Sequence, residues 1–194
     1  TNDTSNVATT LSTTRIPHVA GTSGKWNQSS IFPTTGYASG SYVLNMGSMV
    51  YRSYSVDSSF NLSVTELSPT TGASNAQELY PQIVNLQAMY GKDTNNDGVV
   101  DTYDTTTPTT NAGWMQVLAI RVAVVARSNQ YEKELITTSA PQWDVGAAST
   151  ISAATACGSS KCIALKVSHV PDWQHYRYKV YDTVIPLRNV LWNS

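Results

Sequence analysis

The sequence predicts an α+β domain, one amphipathic helix beside about six antiparallel strands. Three observations carry this. Alternating apolar runs flank the turn residues Asp57-Ser58-Ser59, and a long β-branched run covers Trp114–Ser128. Between them Leu79, Ile83, Leu86 and Tyr90 recur at three- and four-residue spacing, the helical period. At 194 residues the chain suits one domain, enough to bury roughly 70% of its unfolded surface.

Residues 1–40 are rich in Ser, Thr, Gly and Asn, with Ile16, Trp26, Ile31, Phe32 and Tyr37 widely spaced. They predict an irregular segment pinned by a few anchors. An amphipathic helix is expected over Asp3–Thr13 where an upstream helix continues into it. The sheet-forming body spans residues 41–194. Tyr42–Asn45 predicts a short strand, and Met49–Val56 a second, with Val50, Tyr54 and Val56 on one face. Phe60, Leu62 and Val64 supply the facing alternation, which makes a β-hairpin.

The predicted helix covers Leu79–Tyr90, with Pro81 tolerated in its first turn and Gly91 ending it. Trp114–Ser128 is expected as a long central strand: Leu118, Ile120, Val122 and Val124 share one face, and Arg121 interrupts the other. Further strands are expected at Cys162–Ser168 and Tyr176–Ile185. The last stops at Pro186, which has no N–H for a ladder.

The densest chemistry lies in DTNNDGVVDTYD, Asp93–Asp104. Asp93, Asn95, Asp97, Asp101 and Asp104 fall at positions one, three, five, nine and twelve of a calcium loop. Gly98 stands at the sharp turn of position six, and Val99 at position seven offers its carbonyl. A hard cation takes six to eight oxygens. Without one, four neighbouring carboxylates repel one another. Calcium is the expected ligand; a polar Asn-Asp-Gly turn is the alternative. TTTPTT follows the loop and cannot continue a helix, so the unit is no complete helix-loop-helix hand.

Charged residues make up 13% of the chain and the net charge is −1. That is about half the usual charged share, and no basic cluster points to nucleic acid or an anionic membrane. Four of the thirteen acids sit inside the Asp93–Asp104 loop. Cys157 and Cys162 bracket Gly158-Ser159-Ser160-Lys161. A disulfide in an oxidising compartment is the preferred reading, since the three histidines are not spaced to complete a zinc site.

Nothing in the chain reads as catalytic machinery. His169 and His175 lack helical metal spacing, and nucleophile-elbow, phosphate-loop and zincin motifs are missing. Glu132 and Glu134 around Lys133 suit a solvated cluster. Five Trp and eleven Tyr against two Phe allow a second function class, a calcium-dependent extracellular glycan-binding or adhesin module. The sequence holds no signal peptide or transmembrane run, and its opening TNDTSNVATTLSTT predicts a processed or truncated soluble part.

The order of motifs carries a family resemblance. IVNLQAMYGKDTNNDGVVDTY at 83–103 precedes WMQVLAIRVAVVARSNQYEK at 114–133, then the cysteine pair, then DWQHYRYKVYDTVIPLRNVLW at 172–192. With LNMGSMVYRSYSV at 44–56, this resembles the PilW family of type IV pilus minor pilins, including ComB-like relatives. The resemblance implies a type IV pilin-like globular domain with an antiparallel sheet, its N-terminal hydrophobic helix lying outside this sequence. It implies an assembly-promoting adaptor at the pilus tip, without chemistry of its own. The implied partners are other minor pilins, the major pilin and a PilY-type tip adhesin. The implied location is the inner membrane and periplasm before assembly, and the pilus fibre after it. Some family loops share the D-x-N-x-D-G run, so the resemblance is compatible with Asp93, Asn95, Asp97, Val99, Asp101 and Asp104 as structural calcium ligands.

Overall fold

A computed structural model describes residues 40–42, 50–68 and 72–187. The strand expected at Tyr42–Asn45 and the helix at Asp3–Thr13 lie wholly or mostly outside these residues. Chain contacts divide the protein into two compact units, Thr1–Tyr51 with Glu66–Asn75, and Arg52–Thr65 with Ala76–Ser194. In the first, the described part includes a turn in which Ser68 and Gly72 donate to the carbonyls of Ala73 and Ser68 at 2.9 and 2.7 Å.

The α+β expectation is wrong. Among the described residues strand accounts for 47% and helix for 6%, with no helix of seven or more residues, so they are nearly all antiparallel β rather than the α+β fold expected. The predicted helix over Leu79–Tyr90 is two strands. Strand β1 (Tyr51–Val56), β2 (Asn61–Leu67) and β3 (Ser74–Pro81) form one sheet in that order. After β3 the backbone turns through Gln82, at φ 62°, into β4 (Ile83–Lys92). The hairpin expected around Asp57 is present as β1 and β2. The Asp57 carboxylate anchors its turn, accepting the Ser59 and Asn61 N–H groups at 2.8 and 2.9 Å.

Strand β5 (Thr102–Asp104), a five-residue helix α1 (Asn111–Met115) and β6 (Val117–Arg127) follow. The expected central strand is β6, but it starts at Val117 because Thr110 caps α1, its hydroxyl accepting from Gly113 N at 3.1 Å. Then come β7 (Gln142–Asp144), β8 (Thr155–Cys157), β9 (Ser160–Ala164), a 3-10 turn at Trp173–His175 and β10 (Tyr178–Pro186). The strand expected at Cys162–Ser168 is therefore shorter and earlier. No helix among the described residues is long and apolar enough to cross a membrane.

Two further sheets organise the larger unit, one in the order β10-β6-β4-β5 and one in the order β7-β9-β8. Nine consecutive residues of β10 pair with β6, from Tyr178 opposite Arg127 to Pro186 opposite Ala119. β4 runs along the other side of β6 with register shifts between Ile83 and Asn85 and between Gly91 and Lys92. Side chains alternate across the pleat. Ala123 and Val125 of β6 point inward with Val84 and Met89 of β4, onto Trp143, Val145, Leu165, Val167 and Val170. All nine are at most 2% exposed. Burying a Val, Leu or Met side chain in this way contributes about 1.5–3 kcal/mol, so this layer is the main store of stability.

Candidate functional site

The Asp93–Asp104 loop closes a β-hairpin and does not follow a helix. Asp93 comes directly after β4, and Thr102–Asp104 is β5, with Tyr90 opposite Asp104 and Lys92 opposite Thr102. Asp93 is 4% exposed. Its carboxylate gathers four backbone N–H groups: Asn95, Asn96 and Asp97 donate to Oδ1 at 3.2, 2.6 and 3.2 Å, and Gly98 to Oδ2 at 2.7 Å. Asn96 at φ 61° and Gly98 at φ 84° give the left-handed backbone that this wrap requires.

The remaining sequence-predicted ligands divide. Asn95 Oδ1 accepts from Asp97 N at 3.0 Å, and Asp97 Oδ1 accepts from Val99 N at 2.9 Å. Asp101 reaches back to Thr94, whose amide and hydroxyl both donate to Oδ2 at 2.7 Å. Those bonds hold the Asp101 carboxyl below its ordinary range, the hydroxyl contributing most. Asp104 is turned elsewhere: its Oδ1 accepts from Lys92 Nζ at 2.8 Å and from Thr106 N at 2.7 Å. Among the described residues no three of the loop's carboxylates bring oxygens within 4.8 Å of one another. The donor set fits a hard dication chemically, and the side-chain hydrogen bonds of Asp93, Asn95 and Asp97 stay within the stretch Asp93 to Val99. Coordination by the rest requires Asp101 to leave Thr94 and Asp104 to leave Lys92.

Cys157 and Cys162 form the disulfide expected of them, with Cα atoms 5.7 Å apart. It staples β8 to β9 across a turn in which Gly158 has φ 64°. Beside it lies a network that sequence reasoning missed. Arg121 donates to the Asp144 carbonyl at 2.8 Å and pairs through Nε and Nη2 with Asp182. Its guanidinium also lies 5.6 and 5.5 Å from the ring centres of Tyr103 and Trp143. Burial pushes the Asp182 carboxyl up, but the hydrogen bonds and the charge of Arg121 bring it below its ordinary range. Only the position of Arg121 inside an apolar run hinted at this network.

The second surface of interest is the outer face of the β10-β6-β4 sheet. Leu86 and Tyr90 of β4 lie opposite Val124 and Ile120, and Tyr181, Thr183 and Ile185 of β10 lie opposite Val124, Val122 and Ile120. This face is as apolar as the inner one, yet Ile120, Val122 and Val124 are only half-buried. Tyr181 and Ile185 are 55% and 49% exposed. The buried core cluster draws no residue from it.

Against known proteins, the family model for Type IV Pilus-assembly protein W matches residues 50–189. No curated protein and no solved structure gives a significant match. The matched span takes in the loop, the disulfide, the Arg121 network and all three sheets.

Proposed function

Because the chain belongs to the PilW family of type IV pilus-assembly proteins, we propose that it is a minor pilin, an adaptor in the priming complex at the pilus tip. Its partners are then other minor pilins, the major pilin and a PilY-type tip adhesin. Its location is the inner membrane and periplasm before assembly, and the fibre at the cell surface afterwards. The family is one of pilus assembly and not of enzymes, which agrees with a role in contact rather than chemistry.

The observation that carries this reading beyond the family match is the outer face of β10-β6-β4. A sheet with apolar residues on both faces, one in the core and one half-exposed, suits a subunit that packs against others. The test is substitution where the face is most open. Ile185→Asp and Tyr181→Asp should leave the melting temperature within about 2 °C of wild type, because such exposed sites contribute little to the monomer. They should abolish co-purification with the other minor pilins and lower the number of surface pili. Normal pili and normal co-purification in a folded double variant would refute the assignment of this face.

We propose further that calcium binds the Asp93–Asp104 loop, through Asp93, Asn95, Asp97, Asp101 and the Val99 carbonyl, with Asp104 joining when it releases Lys92. The ion would draw Asp97 and Asp101 together and stiffen the β4–β5 hairpin. A ligand specific to the folded state stabilises it by about 2.7 kcal/mol at a hundredfold excess over Kd. Calcium should therefore raise the melting temperature, and Asp97→Ala should remove the rise. Identical melting in chelator and in calcium would exclude the ion.

One observation favours the adhesin reading as an alternative. Trp114 is 45% exposed and packs edge-on against Tyr90 at 5.7 Å. It sits next to the loop, since Asp93 N donates to the Gln116 carbonyl at 2.8 Å. Half-exposed aromatic rings beside an ion suit sugar stacking. Calcium-dependent binding on a glycan array, lost in Trp114→Ala, would support this reading over a purely structural adaptor.

A further inference from the structure

We infer that the open edge of β4 takes an extended segment of a partner protein as an added strand. That segment seats an apolar side chain in the cavity beside the edge and an acidic one at Lys166. At the start of β4, His169 Nε2 lies 2.9 Å from the Val84 carbonyl, and Asn85 Nδ2 donates to the Lys166 carbonyl at 2.8 Å. At its end, β5 pairs with Tyr90–Lys92 alone. Between them, Leu86–Met89 has β6 on one side and no strand on the other among the described residues. Four residues of edge are about 13 Å of unpaired ladder.

Proteins deter strand addition by placing lysine, proline or inward-pointing charge on an exposed edge. β10, at the far side of the same sheet, carries Lys179 and ends in Pro186. Leu86–Met89 holds neither a charge nor a proline. Gln87 lies on the same side of the pleat as the buried Met89 and is nevertheless exposed, because the inner face is uncovered at this edge. Its side-chain amide turns back to donate to Asn85 Oδ1 at 3.0 Å.

What the edge takes follows from the cavity along it. A space of about 380 Å³ lies against Gln87, Met89, Trp143, Ile163, Leu165 and Lys166. Its floor is apolar and fits one large aliphatic or aromatic side chain of the added strand. Lys166 is the one charged group lining it among the described residues, and there it is exposed and forms no ion pair. A carboxylate complements that ammonium, and side chains two residues apart on a strand share a face. The occupant is therefore an extended peptide with an apolar and an acidic residue two positions apart. Main-chain hydrogen bonds to β4 hold it, and the two side chains set its register. Pairing at this edge leaves the outer face of β10-β6-β4 free for its own contacts.

Panning a random peptide library on phage against the intact chain tests this. Wild type should enrich peptides with a large apolar residue and an acidic residue two positions apart. Against Lys166→Glu, the acidic position should change to lysine or arginine. Ala153 lines the cavity from an exposed turn. Ala153→Trp should keep the wild-type melting temperature and weaken a selected synthetic peptide at least about tenfold. N-methylation of that peptide should abolish binding at alternate positions, those that face β4, and be tolerated at the others. No enrichment, an acidic preference that Lys166→Glu leaves unmoved, unchanged binding to Ala153→Trp, or methylation tolerated everywhere would overturn the proposal. So would a peptide lost in Tyr181→Asp and kept in Ala153→Trp, since it would sit on the outer face. A concentration-dependent dimer that Ala153→Trp dissolves would give the edge to a second copy and overturn its assignment to a partner.

Discussion

A methyl group added at Gly91 would lie 2.9 Å from the Tyr103 ring, 3.1 Å from Val100 and 3.3 Å from Ala119. In the sequence this glycine looks like a helix stop; in the fold it is a close approach between three strands. Gly91→Ala should destabilise the protein by about 1–3 kcal/mol through overpacking, measured as a lower urea midpoint. An unchanged midpoint would mean the ring swings aside freely. Arg121 makes the same point for charge. It interrupts an apolar run and binds the Asp144 carbonyl and the Asp182 carboxylate together. Lysine has no planar fork with which to hold both. Arg121→Lys should therefore cost about 1–2 kcal/mol, and equal thermal midpoints for the two proteins would show the network to be dispensable.

The β8–β9 hairpin gives a prediction for a whole element. Closing so short a loop removes chain entropy worth about 2 kcal/mol, so the double variant Cys157→Ser, Cys162→Ser should lose about that much and keep its fold. A loss near zero would place the ordering in the strands alone. This disulfide was legible in the sequence because spacing and Gly/Ser content act locally, and the β1–β2 hairpin and the β6 strand were legible for the same reason. The Leu79–Tyr90 segment was not. Its spacing of three from Ile83 to Leu86 spans a register shift in β4, and the spacing of four from Leu86 to Tyr90 is two strand periods on the outer face. Leu79 belongs to β3, a different sheet. A bulge plus alternation thus imitates a helical period, and only pairing with β6 separates the two. The conformation of the Asp93–Asp104 loop was half legible: the wrap around Asp93 follows from Asn-Asp-Gly chemistry, whereas the Lys92–Asp104 pair depends on how β4 registers with β5.

At the scale of the molecule, Arg121 ties the two sheets of the larger unit together through the Asp144 carbonyl, and ionised carboxylates hold the groups on either side of that bond. Asp182 of β10 binds Arg121 of β6, which also binds the β7 carbonyl at Asp144. The Asp144 carboxylate in turn holds Ser160 of β9. Both carboxyls are held below the ordinary 3.8 of an aspartate. A folded-state pKa below the unfolded one means that the unfolded chain binds more protons in between. The stabilisation is therefore present above the ordinary value and lost as the pH falls through the folded-state values. The urea midpoint should hold steady through the neutral range and drop below about pH 4. Asp182→Asn should lower the midpoint at neutral pH, because Arg121 keeps its burial and loses its counter-charge. The same variant should have a shallower acid decline, since one of the linked protons is gone. If wild type and Asp182→Asn lose stability with the same slope between about pH 6 and about pH 3, the acid response lies in other carboxylates and the Arg121 network is not what joins the β10-β6-β4 sheet to the β7-β9-β8 sheet.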